Sequence, residues 1–232
     1  GLKLPKTIFA HGWGLTGKTK MSKSLGNVVN PIDLIEKYDV DSFRFFLLSE
    51  MTMGQDASFT EDAFIKRYNA DLANDFGNLV NRVLNMINRY CEGKVPKYHY
   101  FDNDEEILWN GMQKSISFMK ESILNMKINS GIEKIMDSTR SINKYLETKA
   151  PWTAYKNEKI KDVETTLYVS AECLRLVSEI LHPLMPNKMS IVKKSLGMTN
   201  NVVSLKEIGK FGQILVNSKI NQPNVLFPRI EI

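Results

Sequence analysis

The chain is poor in the residues that build covalent and metal frameworks. It has two cysteines, Cys91 and Cys173, and three histidines, His11, His99 and His182, in 232 residues. Two cysteines make no disulfide framework, and no Cys-x-x-Cys pair is present to hold zinc. The histidines lie too far apart for a His-x-x-x-His metal helix. No apolar run approaches the roughly 18 residues that a membrane-spanning helix needs. The opening GLKLPKTIFAHGW lacks both the apolar length and the small-residue cleavage site of a signal peptide. It also lacks an initiator methionine, so it reads as a chain that begins mid-protein. Acid is missing from the first thirty residues, which carry Lys3, Lys6, Lys18, Lys20 and Lys23. The 26 acidic residues further on are matched by the remaining lysines and arginines, so the whole +5 excess sits in that first stretch. Concentrated positive charge favours phosphate, in a nucleotide or a nucleic acid; a basic, solvated terminus is the plainer reading. The remaining composition, 43% hydrophobic and 25% charged, is that of a globular chain and excludes disorder and collagen-like order. The length suits one large domain or two small ones, with a sizeable core.

Periodicity predicts a mainly helical protein. Thr7–His11 is short, partly β-branched and bounded by Pro5 and Gly12, which predicts a strand. Gly12, Gly14, Gly17 and Gly26 punctuate an aperiodic loop. Asn30 and Pro31 mark a helix start, and Asp41 is the predicted cap of the next helix. Thr60 with Glu61 and Asp62 makes another start. Long amphipathic helices are predicted over about 69–90, 104–126, 129–149 and 160–182, with a shorter one over 188–196. Their stripes run through Leu79, Val83, Met86, Ile87 and Tyr90, through Leu108, Met112, Ile116, Met119, Ile123 and Met126, and through Leu167, Leu174, Val177 and Leu181. Ala150-Pro151 closes the third of these helices, and four such helices on short connections predict a bundle. Ile214-Leu215-Val216 reads as a strand.

Two signals overlap in the loop. Gly12–Thr19 matches G-x-x-x-x-G-K-[ST] letter for letter, the pattern of a P-loop nucleotidase. A P-loop must run straight into a helix whose N-terminus faces the phosphates, and only six residues separate Thr19 from Gly26. The second signal is Lys20-Met21-Ser22-Lys23-Ser24. Two lysines three apart reach one polyphosphate from two sides and stabilise charge on a leaving pyrophosphate, and the serines add hydroxyl donors. A solvated lysine–serine loop has the same composition.

KMSKS followed by LGNVVNP resembles the second signature of class I aminoacyl-tRNA synthetases. His11-Gly12-Trp13, DSFRFFLLSE, GQDASF, RYNADLANDFGNLVNR, Ala150-Pro151-Trp152 and Leu226-Phe227-Pro228-Arg229-Ile230 follow in order. Together they resemble the methionyl-tRNA synthetase family over nearly the whole chain, with a departure at Gly14–Thr19, where the family has fewer glycines. The resemblance implies a helical-bundle anticodon-binding domain preceded by the C-terminal remnant of a Rossmann-like α/β catalytic domain. Residues 1–58 would be that remnant, with the KMSKS loop and stem-contact helices, and residues 59–232 the bundle and tail. It implies that the loop Lys20, Met21, Ser22, Lys23 and Ser24 binds ATP during adenylate formation, with Lys23 on the phosphates and Lys20 in support. The family's His-Ile-Gly-His signature, methionine pocket and zinc knuckle have no counterpart here. The implied reaction is methionine–tRNA ligation in protein biosynthesis, with ATP and Mg2+. The implied partners are tRNA(Met) and, through the missing half, methionine, in the cytoplasm and without a membrane. The fragment alone would be inactive. Rival readings are a free-standing tRNA-binding module, the P-loop nucleotidase and a sister synthetase for isoleucine, valine or leucine.

The helix over 69–90 carries a second candidate surface. Asn78, Asn81, Arg82, Asn85, Asn88 and Arg89 recur every three or four residues opposite the core stripe. A merely solvated face more often uses Lys and Glu, better helix formers than Asn. Planar amides and guanidinium groups instead suit the edges of unpaired bases. The resemblance makes Asn78 and Arg82 an anticodon-reading pair. It makes Trp152, which composition alone would bury, a stacking platform for the first anticodon base.

Overall fold

The computed structural model describes residues 3–198 and 207–231. Nine α-helices and a three-stranded sheet make up the regular structure among the described residues. The sheet is small. Strand β1 (Gly14–Thr16) pairs antiparallel with β2 (Thr19–Lys20) and parallel with β3 (Ala57–Phe59), in the order β2-β1-β3. Gly17 opens the two-residue turn between β1 and β2 with φ +62°, the positive value a primed hairpin turn requires there. Gly12–Thr19 is therefore a hairpin and not the strand–loop–helix of a P-loop. The predicted strand Thr7–His11 is instead irregular, with no ladder partner among the described residues, and Ile8 is 90% exposed.

Helices α1 (Pro31–Tyr38) and α2 (Val40–Glu50) follow. Asn30 caps α1, its side chain accepting from the Ile32 amide, with Pro31 in the first turn. The cap of α2 is Asp39 and not Asp41. Only one residue separates the two helices, so only Asp39 lies outside helical geometry. Its carboxylate accepts from the Ser42 N–H and hydroxyl. Asp41 is buried instead and accepts from the Lys188 N–H at 2.7 Å, which ties α2 to the last helix, α9 (Pro186–Ser195).

Thr60 caps α3 (Glu61–Arg67), as its hydroxyl and the following acids predict. The rod then continues through a π-helical segment (Tyr68–Gly77) into α4 (Asn78–Tyr90). The core residues Phe64, Tyr68, Leu72 and Phe76 recur every four residues, wider than the 3.6 of an α-helix. Widened turns keep that row in line, and the α-helical spacing resumes at Leu79, Val83 and Ile87. Helices α5 (Asn103–Leu124) and α6 (Ile128–Lys149) form an antiparallel pair packed closely at Gly131, where a Cβ would lie 2.4 Å from Met119 Sδ.

Helix α6 ends where Ala150-Pro151 predicts: Ala150 turns into a left-handed conformation (φ 43°), and Pro151 then starts a further short helix, α7 (Pro151–Lys156), that the sequence did not signal. The chain enters α8 (Ile160–Leu181), which is buried on every side from Thr165 to Leu181 and not along a single stripe. A helix enclosed all round is the centre of the fold. Its buried Arg175 and Glu172 are satisfied by each other and by the tail. Arg175 pairs with Glu172 and donates to the carbonyls of Ile208 and Lys210, and Glu172 accepts from the Ile214 amide. That contact holds Ile214 in a coil, where the apolar run predicted a strand. After α9 (Pro186–Ser195) the tail returns along the bundle. The Asn69 side chain exchanges two hydrogen bonds with the Ile230 backbone, and Lys188 Nζ donates to Leu226 O. Both cysteines are free thiols, and burial pushes Cys91 up to about 12, so it stays protonated.

Candidate nucleotide loop and base-reading surface

The KMSKS loop is shaped by short local bonds. Lys20 ends β2 with its ammonium 3.0 Å from the centre of the Trp13 ring, a cation–π contact. Trp13 is held there by its own backbone: its N–H donates to Asp56 Oδ1 and its carbonyl accepts from Ala57. Met21 turns inward while its N–H donates to Gly14 O. Ser22 caps a 3-10 turn (Lys23–Leu25), accepting from the Leu25 N–H, and its hydroxyl shares a hydrogen bond with Ser24 at 2.9 Å. Asn27 stitches both arms together. It accepts from the Ser22 N–H, donates to Lys20 O, and its carbonyl accepts from Thr16 Oγ1. The sequence reading missed Asn27; its only local signal is the Gly26-Asn27 turn, with Gly26 at φ 63°. Lys23 projects from this frame, exposed and without an ion pair among the described residues. The two lysines are therefore not equivalent at rest: one lies on an indole and the other faces solvent.

The second surface lies on α4, α6 and α7. Asn78 is exposed at the start of α4, beside an open depression that also takes in Asn74, Asn81 and, from the tail, Arg229. Arg82 is half-buried one turn later. Its Nη1 donates to Asn143 Oδ1 at 3.1 Å and to Glu147 Oε1 at 3.4 Å. Further along, the predicted polar stripe is used up by the protein itself: Asn88 bonds to Gln222, and Arg89 lies over Tyr90. Trp152 is 37% exposed on α7, so the indole is not enclosed in the core. A Tyr90–Tyr155 ring contact at 4.7 Å joins α7 to the end of α4. Trp109 packs edge-on against Phe211, as a structural tryptophan does.

Charge pairs brace the platform from behind. Arg140 on α6 reaches Asp71 and Asp75 of the π segment and Glu133 and Asp137 of its own helix. Burial lifts the Asp71 carboxyl above its ordinary range, against the pull of Arg67 and Arg140. Among the described residues no group of three or more His, Cys, Asp or Glu is placed to hold a metal ion, and no helix is long and apolar enough to cross a membrane. The sequence reading had also missed Asn143 and Arg229 as neighbours of this surface. Both meet α4 across more than sixty residues of chain, where no local spacing can signal it.

A family model described as tRNA synthetases class I (M) matches residues 1–84, and one described as the anticodon binding domain of methionyl tRNA ligase matches residues 95–231. The chain is 38% identical over 237 residues to the methionine–tRNA ligase of Halalkalibacterium halodurans, with all of this chain aligned to 35% of that protein. It is 36% identical over 233 residues to that of Caldanaerobacter subterraneus subsp. tengcongensis, again over its full length and 36% of the relative. The Mycobacterium tuberculosis methionyl-tRNA synthetase solved in complex with methionyl-adenylate superposes with a TM-score of 0.91 at 32% identity, covering 98% of this chain and 45% of that one. The chain spans about a third of the length of these curated relatives. The two family models together cover both surfaces described above, and on these matches the chain belongs to the methionyl-tRNA synthetase family.

Proposed function

We propose that this chain is the part of a methionine–tRNA ligase that closes on ATP and reads the anticodon, with residues 1–58 serving the first task and 59–232 the second. The full enzyme joins methionine to ATP, releasing pyrophosphate, and passes the methionyl group to tRNA(Met). As the methionine carboxylate attacks the α-phosphorus, negative charge builds on the departing pyrophosphate, and fixed cations there lower the barrier. Lys23 meets that charge directly. Lys20 joins it by leaving the face of Trp13. Mg2+ bound with ATP would supply further positive charge beside Lys23 and Lys20, and the methionine pocket belongs to the other part of the enzyme, working in the cytoplasm. Without that part this chain activates no methionine.

On the second surface, Asn78 and Arg82 bond to the edges of the CAU bases, and Trp152 stacks on the first of them. The zero net charge of residues 31–232 makes general phosphate attraction a weak contributor, so affinity rests on these local contacts. The observation that carries the reading is the partly exposed indole of Trp152, left out of the core on α7, beside family matches for both halves. The test is titration of this chain with anticodon stem-loops. Trp152→Ala should weaken binding of the CAU stem-loop by about 1–3 kcal/mol, with the preference at the first position falling most. Equal affinity of the parent and variant chains would remove the stacking role.

A further inference from the structure

Arg82 has five N–H donors on a planar fork, yet among the described residues only Nη1 bonds to protein. Nη2 and Nε are left for a ligand, so the direction of the fork decides what it can read. Two partners hold Nη1. Glu147 is 67% exposed and sits 3.4 Å away, and an ion pair so open to water contributes little and imposes little geometry. Asn143 is half-buried and is itself held from the other side: its Nδ2 donates to the carbonyl of Asp75 at 3.2 Å. The same carbonyl accepts from the Asn78 backbone N–H, at the junction of the π segment and α4. One backbone oxygen thus fixes Asn78 at one end and, through the Asn143 amide, Arg82 at the other. Asp75 cannot drift either, because its carboxylate is held by Arg140 at 3.1 Å.

We propose that Asn143 is a positioning residue for base recognition, orienting the free edge of Arg82 by relaying the Asp75 carbonyl through its side-chain amide. It touches no base itself. The proposal rests on the reading of Arg82 as a base reader, and its sign follows from the bonds. Cutting the relay leaves Arg82 present and charged but free to rotate, so affinity for any RNA changes less than the ratio between right and wrong triplets.

The test uses this chain and stem-loops carrying CAU or triplets changed one base at a time. Asn143→Leu keeps the branched side-chain shape and removes the bonds to Arg82 and to the Asp75 carbonyl. It should lower the CAU preference about tenfold, the loss of one hydrogen bond to a charged group. It should also move the Arg82 Nε–Hε NMR signal toward that of a mobile guanidinium in the absence of RNA. Asn143→Asp keeps an acceptor for Arg82 but loses the donor to the Asp75 carbonyl, so it should fall short of the parent's preference; the full parent preference in that variant would overturn the relay. If the leucine variant does not fold, Asn143→Ala gives the same two readouts. A variant that leaves both the Arg82 signal and the preference of the parent intact overturns the relay while Arg82 stays a reader. A parent chain without preference, whose Arg82 signal still loosens in Asn143→Leu, keeps the relay and overturns the reading of Arg82.

Discussion

Most apolar side chains face outward in residues 3–32, Met21 and Val29 apart, and most face inward in the helices that follow. Leu4, Ile8, Phe9, Trp13, Leu25, Val28 and Ile32 are between 46% and 90% exposed, whereas α8 buries every residue from Thr165 to Leu181. Different forces therefore hold the two regions. The bundle is fixed by apolar burial, about 1.5–3 kcal/mol for each enclosed large side chain. The KMSKS loop is fixed by a few hydrogen bonds around Asn27 and Ser22, each worth only about 0.5–1.5 kcal/mol net. A loop held that way leaves its resting shape at small cost, which suits a clamp that must move onto a nucleotide. A platform that discriminates bases by hydrogen-bond direction needs the opposite, and the braced α4–α6 pair supplies it.

The largest break in this comparison comes from the centre. Leu174 is fully buried on α8, and Leu174→Ala should cost about 2–5 kcal/mol in urea unfolding, through lost burial and the cavity left behind. The loss should appear in the helical signal as a whole, because α8 touches α4, α5, α6, α7 and α9. A cost below about 1 kcal/mol would show that the bundle is not the rigid member of the pair.

A smaller, local break is expected at Gly12. A Cβ there would lie 2.0 Å from the Gln55 carbonyl oxygen, a backbone atom that has no side-chain rotamer by which to move aside. Gly12→Ala should strain the approach of β1 to β3 by about 1–3 kcal/mol, the usual range for overpacking. Trypsin should then cut faster at Lys18, Lys20 and Lys23, with the thermal unfolding of the helices unchanged. Cleavage at the parent rate would mean that the hairpin does not depend on this contact.

The same contrast explains which features the sequence made legible. The long helices and most of their core stripes follow from the 3.6-residue period, and the caps Asn30 and Thr60 from local chemistry. Features set by partners far along the chain were not readable. The burial of Asp41 depends on α9, the coil at Ile214 on Glu172, and the π segment joins two stretches that each look α-helical alone. The strand expected at Thr7–His11 had suitable residues but no neighbouring ladder. At the site, the lysine–serine loop was named from its motif, whereas Asn78, Arg82 and Trp152 were named as base readers from the family resemblance. Asn27 and Asn143 were not, because asparagine's role is decided by the carbonyl it meets.

The smallest effect should be at Ile8. A β-branched apolar residue in a bounded run suggests a strand in a core, and the loss of a buried isoleucine side chain costs several kcal/mol. Here the side chain is 90% exposed and its backbone pairs with no strand among the described residues. Ile8→Ser should therefore change the unfolding free energy of this chain by no more than about 0.5 kcal/mol, the range of ordinary surface substitutions. Polar serine would also remove apolar area from water, so solubility should rise if it changes at all. A loss of 2 kcal/mol or more would place Ile8 in a packed environment and erase the division between an outward-facing N-terminal stretch and an inward-facing bundle.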